Sequence, residues 1–236
     1  MKKPIIIMVS NQKGGVGKTT TTLELCSLFG REFKTLGIDM DPQGDLTTYS
    51  GITKDPKKTI RQVLDAEQLI EEAAVPADGF DLIAGDKSLA NAAQLYSKPD
   101  DIFLLSDAIN IMMHGTEDTY DFIFIDSAPG RSPLLYMEYM ACDYLIAPSE
   151  CDDGSIKGLM NIGEDLRRYR DRFHINLKVL GIVLTKNEIT NMHKIAYDDL
   201  ISISSEVGGT PFKTKIRKSI RATEAKTAQQ SIYDYD

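Results

Sequence analysis

The stretch Asn11-Gln12-Lys13-Gly14-Gly15-Val16-Gly17-Lys18-Thr19-Thr20 concentrates glycine, lysine and threonine in the order that phosphate chemistry uses. Glycines let a backbone bend until several N–H groups face one anion, and the positive end of a following helix adds to the attraction. Lys18 is placed to reach β- and γ-phosphates, and the Thr19 hydroxyl to ligate Mg²⁺. Two aspartates could complete such a site. Asp126 ends the apolar run Phe122-Ile123-Phe124-Ile125, a Walker B pattern in which the carboxylate holds Mg²⁺ directly or through water, while Asp126 or Ser127 could also cap the next helix. Asp39-Met40-Asp41-Pro42-Gln43-Gly44-Asp45 follows another apolar run, with Pro42 and Gly44 making a turn suited to a switch loop. A phosphoryl-transfer site needs little covalent help beyond a held metal and a water in line with the γ-phosphate.

Elements that could position these groups alternate along the chain. Short apolar runs at 5–10, 34–39, 81–84, 121–126, 143–147 and 178–185 read as strands covered on both faces. Helical patterns lie between them. Residues 17–33 place Leu25, Phe29 and Phe33 at spacings of four, residues 155–173 place Ile156, Leu159, Ile162 and Leu166 on one stripe, and 190–207 is a third helix. The alternation predicts an α/β fold with a mostly parallel sheet wrapped by helices, and ligands beyond the carboxyl ends of its strands. With no repeat, low-complexity segment or Pro/Gly/Ser-rich linker, residues 1–236 are expected to form one domain.

Composition narrows the function. Of 236 residues, 27 are Lys or Arg and 35 Asp or Glu, a net charge of −8 that argues against coating nucleic acid by overall charge. Local basic patches remain. Segment 213–226 sets Lys213, Lys215, Arg217, Lys218, Arg221 and Lys226 against Glu224 alone, and Arg167, Arg168, Arg170 and Arg172 cluster at the end of a predicted helix. Such patches suffice for phosphate contacts, and a solvated face or helix C-terminal charges are the alternative explanation. Cys26, Cys142 and Cys151 form no CxxC pair and His114, His174 and His193 are dispersed, which argues against a disulfide scaffold or zinc ribbon and fits a reducing compartment. The basic and apolar start is too short for a signal peptide, and no run reaches a membrane span.

The loop departs from GxxxxGK[ST], having Gln12 at the first glycine position and a second lysine, Lys13. It resembles the deviant Walker A motif of the ParA/MinD superfamily of P-loop NTPases. The resemblance implies that Lys13 crosses a dimer interface to the partner's nucleotide. The string Asp39–Gln43 is similar to the family's DxDPQ motif, which implies that Asp41 orients the attacking water with Asp39 in support. Asp126-Ser127-Ala128-Pro129 resembles its D-x-P-P, with Ala128 in place of the first proline. Gly181–Asn187 resembles its late strand, implying that Asn187 contributes to the base pocket. Ile216-Arg217 and Glu224-Ala225 resemble the I-P-x…E-A segment, with Arg217 for proline.

Together these imply an ATPase of the short ParA/Soj type. Its expected catalytic residues are Lys13, Lys18 and Asp41; its nucleotide contacts Lys13, Gly14, Gly15, Val16, Gly17, Lys18, Thr19, Thr20 and Asn187; and its metal ligands Thr19 and Asp126. The resemblance further implies ATP and Mg²⁺ as cofactors and an ATP-dependent homodimer. It also implies a ParB-like partner and nonspecific DNA binding, for which the basic segment offers Lys213, Lys215, Arg217, Lys218 and Arg221. The protein is expected to be cytoplasmic, on the nucleoid when ATP-bound, and without a membrane helix. The competing readings are an ATP-switched module that positions a cargo other than DNA, and a tyrosine kinase relative modified at Tyr233 or Tyr235.

Overall fold

The computed structural model describes residues 3–115, 119–188 and 190–235. Seven strands, β1 (Ile5–Val9), β2 (Thr35–Asp39), β3 (Val75–Pro76), β4 (Asp81–Ile83), β5 (Phe122–Asp126), β6 (Tyr144–Ser149) and β7 (Lys178–Leu184), form one sheet in the order β3-β4-β2-β5-β1-β6-β7. Every pairing is parallel except the short β3–β4 edge. The helices are α1 (Lys18–Gly30), α2 (Asp45–Tyr49), α3 (Ile60–Leu64), α4 (Ile70–Ala73), α5 (Ala92–Leu95), α6 (Leu104–Gly115), α7 (Pro133–Ala141), α8 (Asp153–Phe173), α9 (Asn191–Val207) and α10 (Arg221–Thr227).

Alternation along the strands divides the core. Ile6, Met8, Leu36, Ile38, Ile123 and Ile125 pack with buried side chains of α6, α7 and α8. Ile7, Leu82, Phe124 and Ile146 face the other way, against Leu23 and Cys26 of α1. The strands are therefore covered on both sides, which is why they read as unbroken apolar runs. Helix α1 ends at Gly30, short of the predicted 33, and a Cβ at Gly30 would meet the Gly79 carbonyl at 2.1 Å. Phe33, beyond the helix, is 41% exposed, although its ring still meets Phe122 edge-on at 5.1 Å. The six predicted strands and three long helices are present. Strand β3 and helices α2 to α5, of two to five residues each, carry too little periodicity to stand out, and the longer α6, α7 and α10 were not anticipated either.

Carboxyl ends of β1, β2 and β5 meet at one edge. The parallel register sets Val9 beside Asp126 and Asp126 beside Asp39, so the loops after these three strands converge. Among the described residues no helix is long and apolar enough to cross a membrane.

Candidate phosphate and metal site

β1 runs directly into the glycine loop, and Gly17 caps α1 in the left-handed region at φ 93°. Gly15 is also left-handed at φ 79°, a conformation that costs a side-chain-bearing residue. Gly14 and Gly15 are exposed, Val16 and Lys18 are buried, and Thr19 and Thr20 are half-buried in the first turn of α1. The Lys18 ammonium donates to the Lys13 carbonyl at 3.1 Å, folding the lysine back over its own loop. Burial lowers the Lys18 pKa, opposed by the nearby Asp126, Asp41 and Glu138 carboxylates.

Asp126 is fully buried. Its Oδ1 accepts from the Thr22 hydroxyl at 3.3 Å, whereas Oδ2 has no hydrogen-bond partner among the described residues. A buried carboxylate oxygen left unpartnered is costly unless a ligand completes it. Burial pushes the Asp126 pKa well up and Asp39 adds to it, while the Thr19 hydroxyl and the Lys18 charge oppose the rise. Thr19 and the free Asp126 oxygen thus suit a hard cation such as Mg²⁺, which takes one or two protein oxygens beside substrate phosphates.

Asp39 holds the loop that carries Asp41. Its Oδ2 accepts from the Thr47 backbone at 2.9 Å and the Thr47 hydroxyl at 2.7 Å, and its Oδ1 from the Asp41 N–H at 3.2 Å. The Thr47 hydroxyl in turn accepts from the Gly85 N–H at 2.9 Å. Asp39 is therefore the anchor of the 40–47 loop. Burial raises its pKa to about 6, against the Thr47 and Asp41 hydrogen bonds. Asp41 stays half-buried. Among the described residues its carboxylate accepts only from the Gln43 N–H at 2.9 Å, within its own turn, and it is near enough to act on Lys18, Asp39 and Asp126.

Lys13 is bound within its own chain: its ammonium lies 2.6 Å from Asp152 at the N-cap of α8. Burial pushes the Asp152 carboxyl up, but hydrogen bonds from Lys13 and Ser155 prevail and hold it below the usual range. Gln12, at the departing position, donates to Asp165 at 2.9 Å and accepts from Asn161 at 3.0 Å, tying the loop to α8. Motif spacing gave no sign of Asp152 or Asp165, which lie far off in sequence.

A second group was also missed. Glu138 on α7 is fully buried, accepts from the Ser127 hydroxyl and has no partner for Oε1 among the described residues. Burial raises its pKa to about 8 despite Ser127 and the Lys18 charge. The expectation that Asp126 or Ser127 caps the next helix is corrected: Ser132 caps α7, accepting from the Leu135 N–H at 3.4 Å, and the two earlier residues are turned to other partners.

Other expected residues lie apart. The Asn187 backbone bonds to Ile216 at 2.9 Å and to Lys218 at 3.3 Å, but its side chain makes no hydrogen bond among the described residues. Lys213, Arg217, Lys218 and Arg221 are exposed, and Lys215 lies 3.5 Å above the Tyr197 ring. Lys218 pairs with Glu188 at 3.0 Å. Lys226 turns inward over the Tyr49 ring at 5.0 Å. In the arginine cluster, Arg167 donates to the Glu206 carbonyl at 2.7 Å and Arg170 to the Leu177 carbonyl at 2.6 Å, so two of its four members serve the fold. The C-terminal segment lies on α1 and α2: the Ile232 N–H donates to Glu24 at 2.7 Å, Asp234 pairs with Arg31, and Gln229 donates to the Thr48 carbonyl at 3.2 Å.

Comparison with known proteins gives the family and the fold. A sequence profile of the AAA_31 family, described as an AAA domain, matches residues 4–179. The chromosome partitioning protein ParA of Caulobacter vibrioides is 28% identical over 238 residues, covering 98% of this chain and 87% of its own. The chromosome-partitioning ATPase Soj of Thermus thermophilus is 28% identical over 228 residues, covering 96% and 86%. Among solved structures, the ATP complex of a Cyanothece McdA variant superposes with a TM-score of 0.87 at 21% identity, over 100% of this chain and 92% of its own. With its glycine loop, second lysine and paired strand-end aspartates, the chain belongs to the AAA_31 family and is a P-loop protein of the ParA/MinD type.

Proposed function

We propose that the chain is an ATP-hydrolysing partition switch. It binds ATP in the glycine loop through Gly14–Thr20, dimerises with ATP, and in that form binds DNA without sequence preference. The observation that carries this reading is the left-handed Gly17 opening α1 beside a buried aspartate whose Oδ2 lacks a partner. In this reading Thr19 and Asp126 hold Mg²⁺, which when bound neutralises charge on the phosphates. Lys18 leaves the Lys13 carbonyl for the β- and γ-phosphates, Asp41 orients the attacking water, and Lys13 crosses to the partner's nucleotide. Asn187 borders the base. Lys213, Lys215, Arg217, Lys218 and Arg221 contact DNA phosphates, and a ParB-like partner stimulates turnover.

The test is ATP turnover with and without Mg²⁺, duplex DNA of arbitrary sequence and a ParB-like protein. Turnover should require Mg²⁺ and be lost in Lys18→Ala. DNA retention should require ATP and fall with salt at a log–log slope of about −4 to −5 if five cations each neutralise a phosphate. Turnover with no DNA retention would instead favour a positioning switch whose cargo is not DNA.

A further inference from the structure

Thr185 and Lys186, directly after β7, each donate a hydrogen bond to the phosphate loop. The Thr185 hydroxyl lies 2.8 Å from the Val16 carbonyl, with the Ser149 carbonyl sharing its proton at 3.2 Å. The Lys186 ammonium lies 2.6 Å from the Gly15 carbonyl and 2.7 Å from Glu150. Neither residue belongs to the glycine motif, and they follow it by more than 160 positions.

The direction of these bonds matters more than their number. No described peptide bond is cis. In a trans peptide the C=O and the next N–H point opposite ways across one rigid plane. Fixing the Gly15 carbonyl toward β7 therefore turns the Val16 N–H away from β7, and fixing the Val16 carbonyl does the same for Gly17. On the loop's other stretch, the Lys18 ammonium holds the Lys13 carbonyl and so orients the Gly14 N–H. Backbone N–H groups set in this way form an anion-binding concavity.

Lys186 adopts a left-handed conformation at φ 49°. Successive side chains leaving a strand point to opposite faces, so an ordinary backbone at 186 would send the lysine away from the loop that Thr185 touches. The unfavourable conformation brings both side chains to the same loop, and such strain persists where surrounding structure holds it. Glu150, at the end of the neighbouring β6, supplies part of that hold.

We propose that Thr185 and Lys186 are positioning residues for the phosphate loop: they hold the Gly15 and Val16 carbonyls toward β7, so that the Val16 and Gly17 N–H groups are set for a nucleotide phosphate before it arrives. This rests on the nucleotide-binding reading above. Neither side chain needs to touch the nucleotide, because its effect passes through a peptide plane.

The experiment measures binding of a fluorescent ATP analogue with Mg²⁺, together with amide hydrogen exchange of the nucleotide-free protein. Thr185→Val keeps shape but loses the hydroxyl, and should weaken binding about five-fold. Thr185→Ser restores the donor and should bind within about two-fold of the parent protein. Lys186→Met, at a solvent-exposed position, should weaken binding by a similar factor, and both variants should speed exchange at Val16 and Gly17. Parent-like binding and exchange in Thr185→Val and Lys186→Met would overturn the positioning role while leaving nucleotide binding intact. A parent protein with no affinity for the analogue would overturn both readings. Equal weakening by Thr185→Ser and Thr185→Val would show that the hydroxyl's bond is not the cause.

Discussion

Lys13 and Asp152 join the phosphate loop to the N-cap of α8 through a 2.6 Å ion pair. The lysine proposed to serve a partner is thus held at home in the single chain. Dimerisation would exchange one anionic contact for another. A partly exposed pair of this kind is worth about 0.2–1 kcal/mol. Asp152→Asn keeps an acceptor for the Ser155 N–H while removing the charge, and, with two such pairs released per dimer, should lower the protein concentration for half-dimerisation with ATP by up to about thirty-fold. Lys13→Ala should bind nucleotide yet stay monomeric, and partly recover turnover when mixed with Lys18→Ala. Light scattering with ATP decides both, and a Lys13→Ala dimer with ordinary turnover would exclude the in-trans role.

Asp41 is cast as a water positioner, so its loss should affect chemistry more than ground-state binding. Asp41→Ala should bind ATP within a few-fold of the parent, hydrolyse it at least about ten-fold more slowly, and elute as a persistent dimer. A monomer with unchanged turnover would remove Asp41 from the site.

Thr47 carries two buried hydrogen bonds through one hydroxyl, donating to Asp39 and accepting from Gly85. Thr47→Val leaves the Gly85 N–H unsatisfied and takes a donor from a buried carboxylate, which should cost about 1–3 kcal/mol. Urea unfolding gives the number. Thr47→Ser should recover most of it, since the hydroxyl returns.

Glu138 makes stability depend on pH in a definite direction. Its pKa is raised to about 8 in the fold by burial, from an ordinary value of 4.5. Between those values the folded state keeps a proton that the unfolded state releases, so stability falls as pH rises from about 5 and levels off above about 8. The contribution is complete below the unfolded pKa and lost on passing the folded one. Glu138→Gln has no proton to lose. Its stability relative to the parent should therefore grow by a few kcal/mol between pH 5 and pH 8. Equal slopes for the two proteins would mean that Glu138 is charged throughout.

The parts of the site that the sequence announces are those built by neighbouring residues. The glycine loop and its helix are contiguous, and Asp39 and Asp126 each end an apolar run whose strands pair in register. Glu138 and Asp152 are announced by nothing nearby. Each is an ordinary acidic residue on a helix or cap, and only the packing of α7 and α8 brings it to the loop. The arginine cluster was ambiguous for the converse reason: charge spacing along α8 does not reveal that Arg167 and Arg170 bond to backbone carbonyls of other segments. Strand order, too, is a property of assembly, although the alternation of elements predicted a parallel sheet.

That order has a consequence for synthesis. β1 leaves the ribosome well before its partners, β5 at 122–126 and β6 at 144–149. At about 5–20 residues per second, the apolar segment Ile5–Val9 waits many seconds before either neighbour exists. During that interval the nascent chain carries an unpaired strand with two open edges. Growth temperature, translation speed and chaperone supply should therefore govern how much native protein a cell obtains, even where the finished fold is stable.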